Sequence, residues 1–236
     1  MRSVFRRARE WAGRKEKLVL LAIATVILGT VAFFAVGREV LNGRTQALDE
    51  WAVESLRSQD DRATARGPDW LVGAVRDITA LGSIAVLALF SLAILGFAAL
   101  RGNARLALLV AFAAGGGFLM NTGLKNLFDR PRPALPHIAR VSSRSFPSGH
   151  AMVSATVYLS LAAVLATRER RRLLKAYILG VAALVTVLVG LSRIHLGFHY
   201  PSDVLAGWLA GLVWAVLCAL ATRAVLGARS EAKRQT

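Results

Sequence analysis

"SSRSFPSGHAMVSATVYLSLAAVLA", residues 142–166, passes from a polar loop into a long apolar run through Pro147-Ser148-Gly149-His150. A helix of about 20 apolar residues crosses the hydrocarbon of a bilayer. Runs of that length lie near 18–37, 82–100, 104–122, 149–167, 174–192 and 203–222. The composition agrees, with 55% hydrophobic residues in a chain of 236 and a mean hydropathy of +0.50. A soluble core of this size does not need so many long apolar runs. The sequence therefore reads as all-α: an integral membrane bundle of six transmembrane helices in a single domain over 18–222. A basic segment, 1–17, precedes it and a tail, 223–236, follows.

The first apolar run is too long for a signal peptide and lacks a small-x-small cleavage site before Arg38, so it reads as a retained span. Between the first two runs, 38–80 is polar, with Trp51, Leu56, Trp70, Leu71 and Val75 scattered among charges. That pattern predicts one or two amphipathic helices lying on the external membrane surface. The lone cysteine, Cys218, sits in an apolar run and has no partner for an intramolecular disulfide.

A formal charge of +16 raises the question of nucleic acid, and the distribution of charge answers it. An even number of spans puts both termini on one side. Segments 1–17, 101–105, 168–175 and 223–236 share that side and hold 18 of the 30 Lys and Arg. The positive-inside rule makes it cytoplasmic. The basic excess is then a topogenic signal, and nucleic acid is not implied as a partner.

That orientation gathers three polar segments outside: 38–80, 123–148 and 193–202. The last two carry unusual residues. "KNLFDRPRP" sets Lys125 seven positions before Arg132, and "SRIHLGFHYPSD" runs from Ser192 to Asp203. Lys125, Arg132, His150, Arg193, His199 and Asp203 thus come to one membrane depth, where gathered charges mark function. Each has a plainer reading when alone. Lys125 or Arg132 reads first as a snorkelling or headgroup-binding cation. Asp129 and Arg130 read as a loop pair, and His137 as a surface residue. His195, His199 and Asp203 have the spacing of metal ligands, but Pro201 breaks any helix through them, so no metal is assigned.

Lys125-x6-Arg132-Pro133, then Pro147-Ser148-Gly149-His150, then Ser192-Arg193-x5-His199-x3-Asp203 resembles the type 2 phosphatidic acid phosphatase (PAP2) family of membrane lipid phosphatases. The resemblance implies an active site shared with vanadium haloperoxidases. His199 would be the nucleophile that forms a phosphohistidine. Asp203 would hold the other imidazole nitrogen, and His150 would protonate the leaving group and then activate water. Lys125, Arg132 and Arg193 would hold the phosphate oxygens, with Ser148 and the Gly149 N–H adding a helix N-terminus. No cofactor is implied.

The substrate class that the resemblance implies is a lipid phosphate or diphosphate reached from the bilayer: a polyprenyl diphosphate, phosphatidylglycerol phosphate, phosphatidic acid or a lipid A phosphate. Two alternatives belong to other classes. A transporter would place ionisable residues at mid-span, whereas these lie at span ends. A non-catalytic lipid-phosphate-binding protein would lack a nucleophile or an acid, and both are present.

Overall fold

The computed structural model describes the backbone of residues 2–135 and 143–235, with side chains for 16–135, 143–167 and 169–223. Its helices are α1 (Arg2–Leu41), α2 (Gln46–Ser55), α3 (Asp69–Ala80), α4 (Ile84–Leu100), α5 (Ala104–Leu127), α6 (Gly149–Arg168), α7 (Arg172–His195) and α8 (Pro201–Gln235). Among the described residues there is no strand, only an isolated bridge between Arg57 and Ala65. Among the described residues, five helices are long and apolar enough to cross a membrane. The pair α3 and α4, bent by 46°, makes a sixth crossing when counted together. Leu20, Leu28, Leu89, Leu92, Leu108 and Leu119 are exposed, as befits helices solvated by lipid.

Local chemistry sets the helix starts. Ser83 Oγ accepts the Val86 N–H at 3.3 Å to open α4, and Asn103 Oδ1 accepts the Leu106 N–H at 3.2 Å to open α5. Pro201 begins α8, where a missing N–H costs nothing.

Lipid supplies little hydrophobic force between helices, so close packing of small residues joins them. Gly207 and Gly211, one turn apart on α8, lie against α6. A Cβ at Gly207 would come within 2.8 Å of the Ser148 carbonyl, and one at Gly211 within 2.5 Å of Ala155 Cβ. This contact fixes the start of α6 against the start of α8, and the Ser148 N–H donates to the Asp203 carbonyl at 2.9 Å. Phe33 of α1 packs with Phe128 and Phe146, the latter two 4.7 Å apart between centroids, and so anchors the α5–α6 connection.

The chain directions place one end of the bundle apart. There α5 and α7 finish while α6 and α8 begin. Val40, near the end of α1, belongs to that end, whereas Leu18 and Leu21 line a cavity with Val216 and Arg223 at the other.

Within the 38–80 segment, α2 is two-faced and also packs onto the bundle. Only the outer face of α2 is exposed, at Leu48 and Trp51. Its inner face buries Asp49 and Val53, the latter packed with Leu135 and Tyr200 over the α7–α8 turn. An apolar-stripe argument misses this because the deepest residue of the inner face, Asp49, is charged.

Candidate active site

Four helix ends meet at this pole. Lys125 lies in the last turn of α5, His150 is the second residue of α6, Arg193 lies in the last turn of α7, and Asp203 lies in the first turn of α8. Arg132 comes from the α5–α6 connection and His199 from the α7–α8 turn. His150 is within electrostatic reach of Arg193, His199, Lys125 and Arg132, so the dispersed residues do converge.

His199 is 1% exposed. Its Nε2 lies 3.1 Å from Arg132 Nη1. On the other side, Nδ1 lies 3.4 Å from Ser145 Oγ and 3.5 Å from Asp203 Oδ2. A guanidinium has donors only, so Nε2 must be the acceptor and the ring proton belongs on Nδ1, facing the carboxylate. Burial holds this imidazole well below its usual range, at about 4, although Asp203 works in the opposite direction. The ring is therefore neutral at physiological pH, with a lone pair on Nε2.

Asp203 is fully buried and saturated with donors. Its Oδ2 accepts the Tyr200 N–H at 2.9 Å and the Ser145 hydroxyl, and its Oδ1 accepts Arg130 Nη1 at 2.7 Å. The contact with Tyr200 is one half of a capping box, in which an acidic residue at the third helical position reaches back to the cap N–H.

The cations surround the same space. Arg132 donates to the carbonyls of Ser143 and Phe198 at 2.8 and 2.7 Å, and burial lowers its pKa. Lys125 Nζ donates to the Arg144 carbonyl at 3.1 Å. Arg193 stacks 4.2 Å from the Phe198 ring centroid and donates to Thr79 Oγ1 at 3.1 Å. Arg193 Nε and Ser148 Oγ are buried and lack a hydrogen-bond partner within the protein. Such orphans are costly unless a ligand completes them. Gly149 is tight for a protein-internal reason as well, since a Cβ there would sit 3.1 Å from Asn121 Oδ1.

One sequence reading is overturned. Arg130 lies in the α5–α6 connection but does not pair with Asp129, which bonds Arg144 at 2.6 Å instead. Arg130 is 8% exposed and joins Asp49 and Asp203 at 2.8 and 2.7 Å. Burial works against its charge, but the two carboxylates outweigh that and raise its pKa. Sequence reasoning also passed over Ser145, Ser202 and Asp49. Ser145 stands three residues before Ser148 in the quoted stretch and could have been suspected; nothing in the sequence around Asp49 marks it. His195 uses its carbonyl to accept from Arg57, and its Nε2 is buried without a partner. No three His, Cys, Asp or Glu side chains among the described residues are grouped to hold a metal ion. His137 lies outside the described residues.

Comparison with known proteins bears on this pole directly. The family model for the PAP2 superfamily matches residues 85–225. Phosphatidylglycerophosphatase B of Bacillus subtilis is 38% identical over 111 residues, 45% of this chain and 53% of that protein. Undecaprenyl-diphosphatase of Sulfolobus acidocaldarius is 42% identical over 67 residues, 28% of each chain. The matches thus span about half or less of these relatives. A crystal structure of a transmembrane PAP2-type phosphatidylglycerolphosphate phosphatase from Bacillus subtilis superposes with a TM-score of 0.70 at 29% identity. It covers 82% of this chain and 94% of that one.

Proposed function

The chain belongs to the PAP2 superfamily, and on that premise we propose that it is a membrane lipid phosphatase acting through a phosphohistidine on His199. The observation that carries this reading is the buried, neutral His199 ring, with its lone pair beside Arg132 and its protonated nitrogen toward Asp203. Lys125, Arg132 and Arg193 neutralise the phosphate, and Ser148 Oγ and Arg193 Nε supply buried bonding capacity not used within the protein. Charge stabilisation of this kind carries most of phosphoryl-transfer catalysis.

The steps follow from those positions. His199 Nε2 attacks phosphorus, and an N–P bond forms as the P–O bond to the lipid breaks. His150 gives its proton to the departing oxygen. Asp203 stabilises the positive charge that develops on the ring through Nδ1–H. His150 then takes a proton from water, whose oxygen attacks phosphorus and frees phosphate and Nε2.

The substrate is a lipid phosphomonoester or diphosphate whose tail stays in the bilayer while its head enters the pole. The names of the relatives support phosphatidylglycerol phosphate and polyprenyl diphosphate as the first two to try. The basic loops at the opposite pole support cytoplasmic termini and an external site in the plasma membrane. Buried charge argues against a transport relay, because Asp49, Arg57, Arg130, Arg193 and Asp203 all belong to this one pole. Purified full-length protein in micelles, given these two lipids, phosphatidic acid and a lipid A phosphate, should release phosphate from at least one. Release from none, with the lipids bound, would favour a non-catalytic binding protein.

A further inference from the structure

Arg130 cannot contribute much to phosphate binding, since both ends of its guanidinium are already engaged by carboxylates. Its partners suggest another task. Asp49 Oδ1 accepts the Ser202 N–H at 3.0 Å, and Asp49 Oδ2 accepts the Ser202 hydroxyl at 2.5 Å. Arg130 Nη1 in turn donates to Ser202 Oγ at 2.7 Å, and Nη2 lies 3.4 Å from Gln46 Oε1. The guanidinium also stacks 4.4 Å from the centroid of the Tyr200 ring. Asp49 therefore caps the first turn of α8 from another helix, and Arg130 ties that cap to Asp203.

We propose that Asp49, Arg130 and Ser202 form a buried ionic bridge that positions Asp203 for His199, making α2 a working part of the active site. Asp49 lies outside the family-matched residues 85–225. The proposal rests on the reading of His199 as nucleophile and Asp203 as its orienting carboxylate.

The energetic argument concerns geometry more than stability. Buried ion pairs gain little over well-packed apolar residues because desolvation offsets the attraction. A buried guanidinium shared between two carboxylates does, however, leave each carboxylate one orientation. Without Arg130, the buried carboxylates of Asp49 and Asp203 would face each other with no cation between them. One would turn away or take up a proton, and neither outcome keeps a fixed anion against Nδ1–H of His199. Phosphate contacts come from other residues, so the loss should appear in the chemical step and not in binding.

Arg130→Met, Asp49→Asn, Ser202→Ala and the double variant Asp49→Asn/Arg130→Met would be purified as full chains. Their kcat, KM and rate of His199 phosphorylation would then be measured. Arg130→Met should lower kcat on the order of 100-fold, the scale of a misplaced catalytic group, with KM near that of the wild type. Arg130→Lys should recover part of that loss. The double variant should be no slower than Arg130→Met, because residues acting as one unit are not additive. Should Arg130→Met fail to fold, Asp49→Asn and Ser202→Ala serve the same purpose, and their losses must likewise fail to multiply. Losses that multiply independently, or that fall on KM alone, would overturn the bridge. His199 phosphorylated at the wild-type rate in Arg130→Met would also overturn it while leaving the nucleophile intact. Phosphate found elsewhere in the wild type would instead remove the reading beneath it.

Discussion

Arg132 Nη1 stands 3.1 Å from His199 Nε2, so a guanidinium faces the one ring nitrogen that has a lone pair. A phosphate bound there would lie between nucleophile and cation, with charge developing where Arg132 points. Arg132→Ala should lower kcat/KM on the order of 100-fold or more, as when one donor to a charged transition state is removed. Arg132→Lys should recover little, since a point charge cannot reproduce the planar fork. A lysine variant close to the wild type would mean that only charge matters at this position.

The depressed pKa of His199 carries a sign that can be checked. The unfolded chain takes its proton near the ordinary 6.5, and the folded ring near 4. The group's contribution to stability is therefore full above 6.5 and is lost as pH falls toward 4. The nucleophile stays neutral through that window. After correction for the substrate's own ionisation, kcat/KM should show no inflection from His199 near pH 6.5. An inflection there that disappears in Asp203→Asn would show that the ring titrates as an ordinary histidine.

How much of this was legible in the sequence differs from element to element. The apolar runs announced their helices because a spanning helix must be apolar for its whole length, and the three motifs announced residues that meet at one pole of the bundle. Arg130 was misread because its spacing carried no information; its partner, Asp49, lies 81 positions away in a segment with no motif. Ser145, three residues before Ser148, was open to suspicion from its place in the quoted stretch, but a serine two residues before a proline reads first as loop. The bend between α3 and α4 went unread as well. Leu81-Gly82-Ser83 looks like a turn between separate elements, yet Gly82 packs tightly there: a Cβ would come 3.3 Å from His150 Cβ.

The sidedness of the site can be tested apart from its chemistry. In a Cys218→Ala background, Ser143→Cys should react with an impermeant thiol reagent in intact cells, and Ser230→Cys should react only after lysis. The 18 basic residues on the segments that share a side with both termini motivate this expectation. The opposite pattern would turn the bundle over and place the active site inside.

Gly211 tests the packing that sets α8 against α6. An added Cβ would meet Ala155 Cβ at 2.5 Å and the Met152 carbonyl at 2.6 Å, and neither can swing aside. Gly211→Ala should destabilise the folded protein by about 1–3 kcal/mol, the usual cost of overpacking. It should appear as a lower thermal midpoint in detergent. An unchanged midpoint would mean that α6 and α8 are not held this closely.

The central claim is a covalent bond to His199, and trapping that bond is its most direct test. His150→Ala keeps the nucleophile but loses the group that activates water, so an activated aryl phosphate should phosphorylate it and hydrolysis should then stall. After alkaline denaturation and proteolysis, mass spectrometry should find an acid-labile, base-stable phosphate on His199, absent when His199→Ala is added. A stable phosphate on any other residue would contradict the account. So would no trapped phosphate in His150→Ala while the wild type hydrolyses the same substrate.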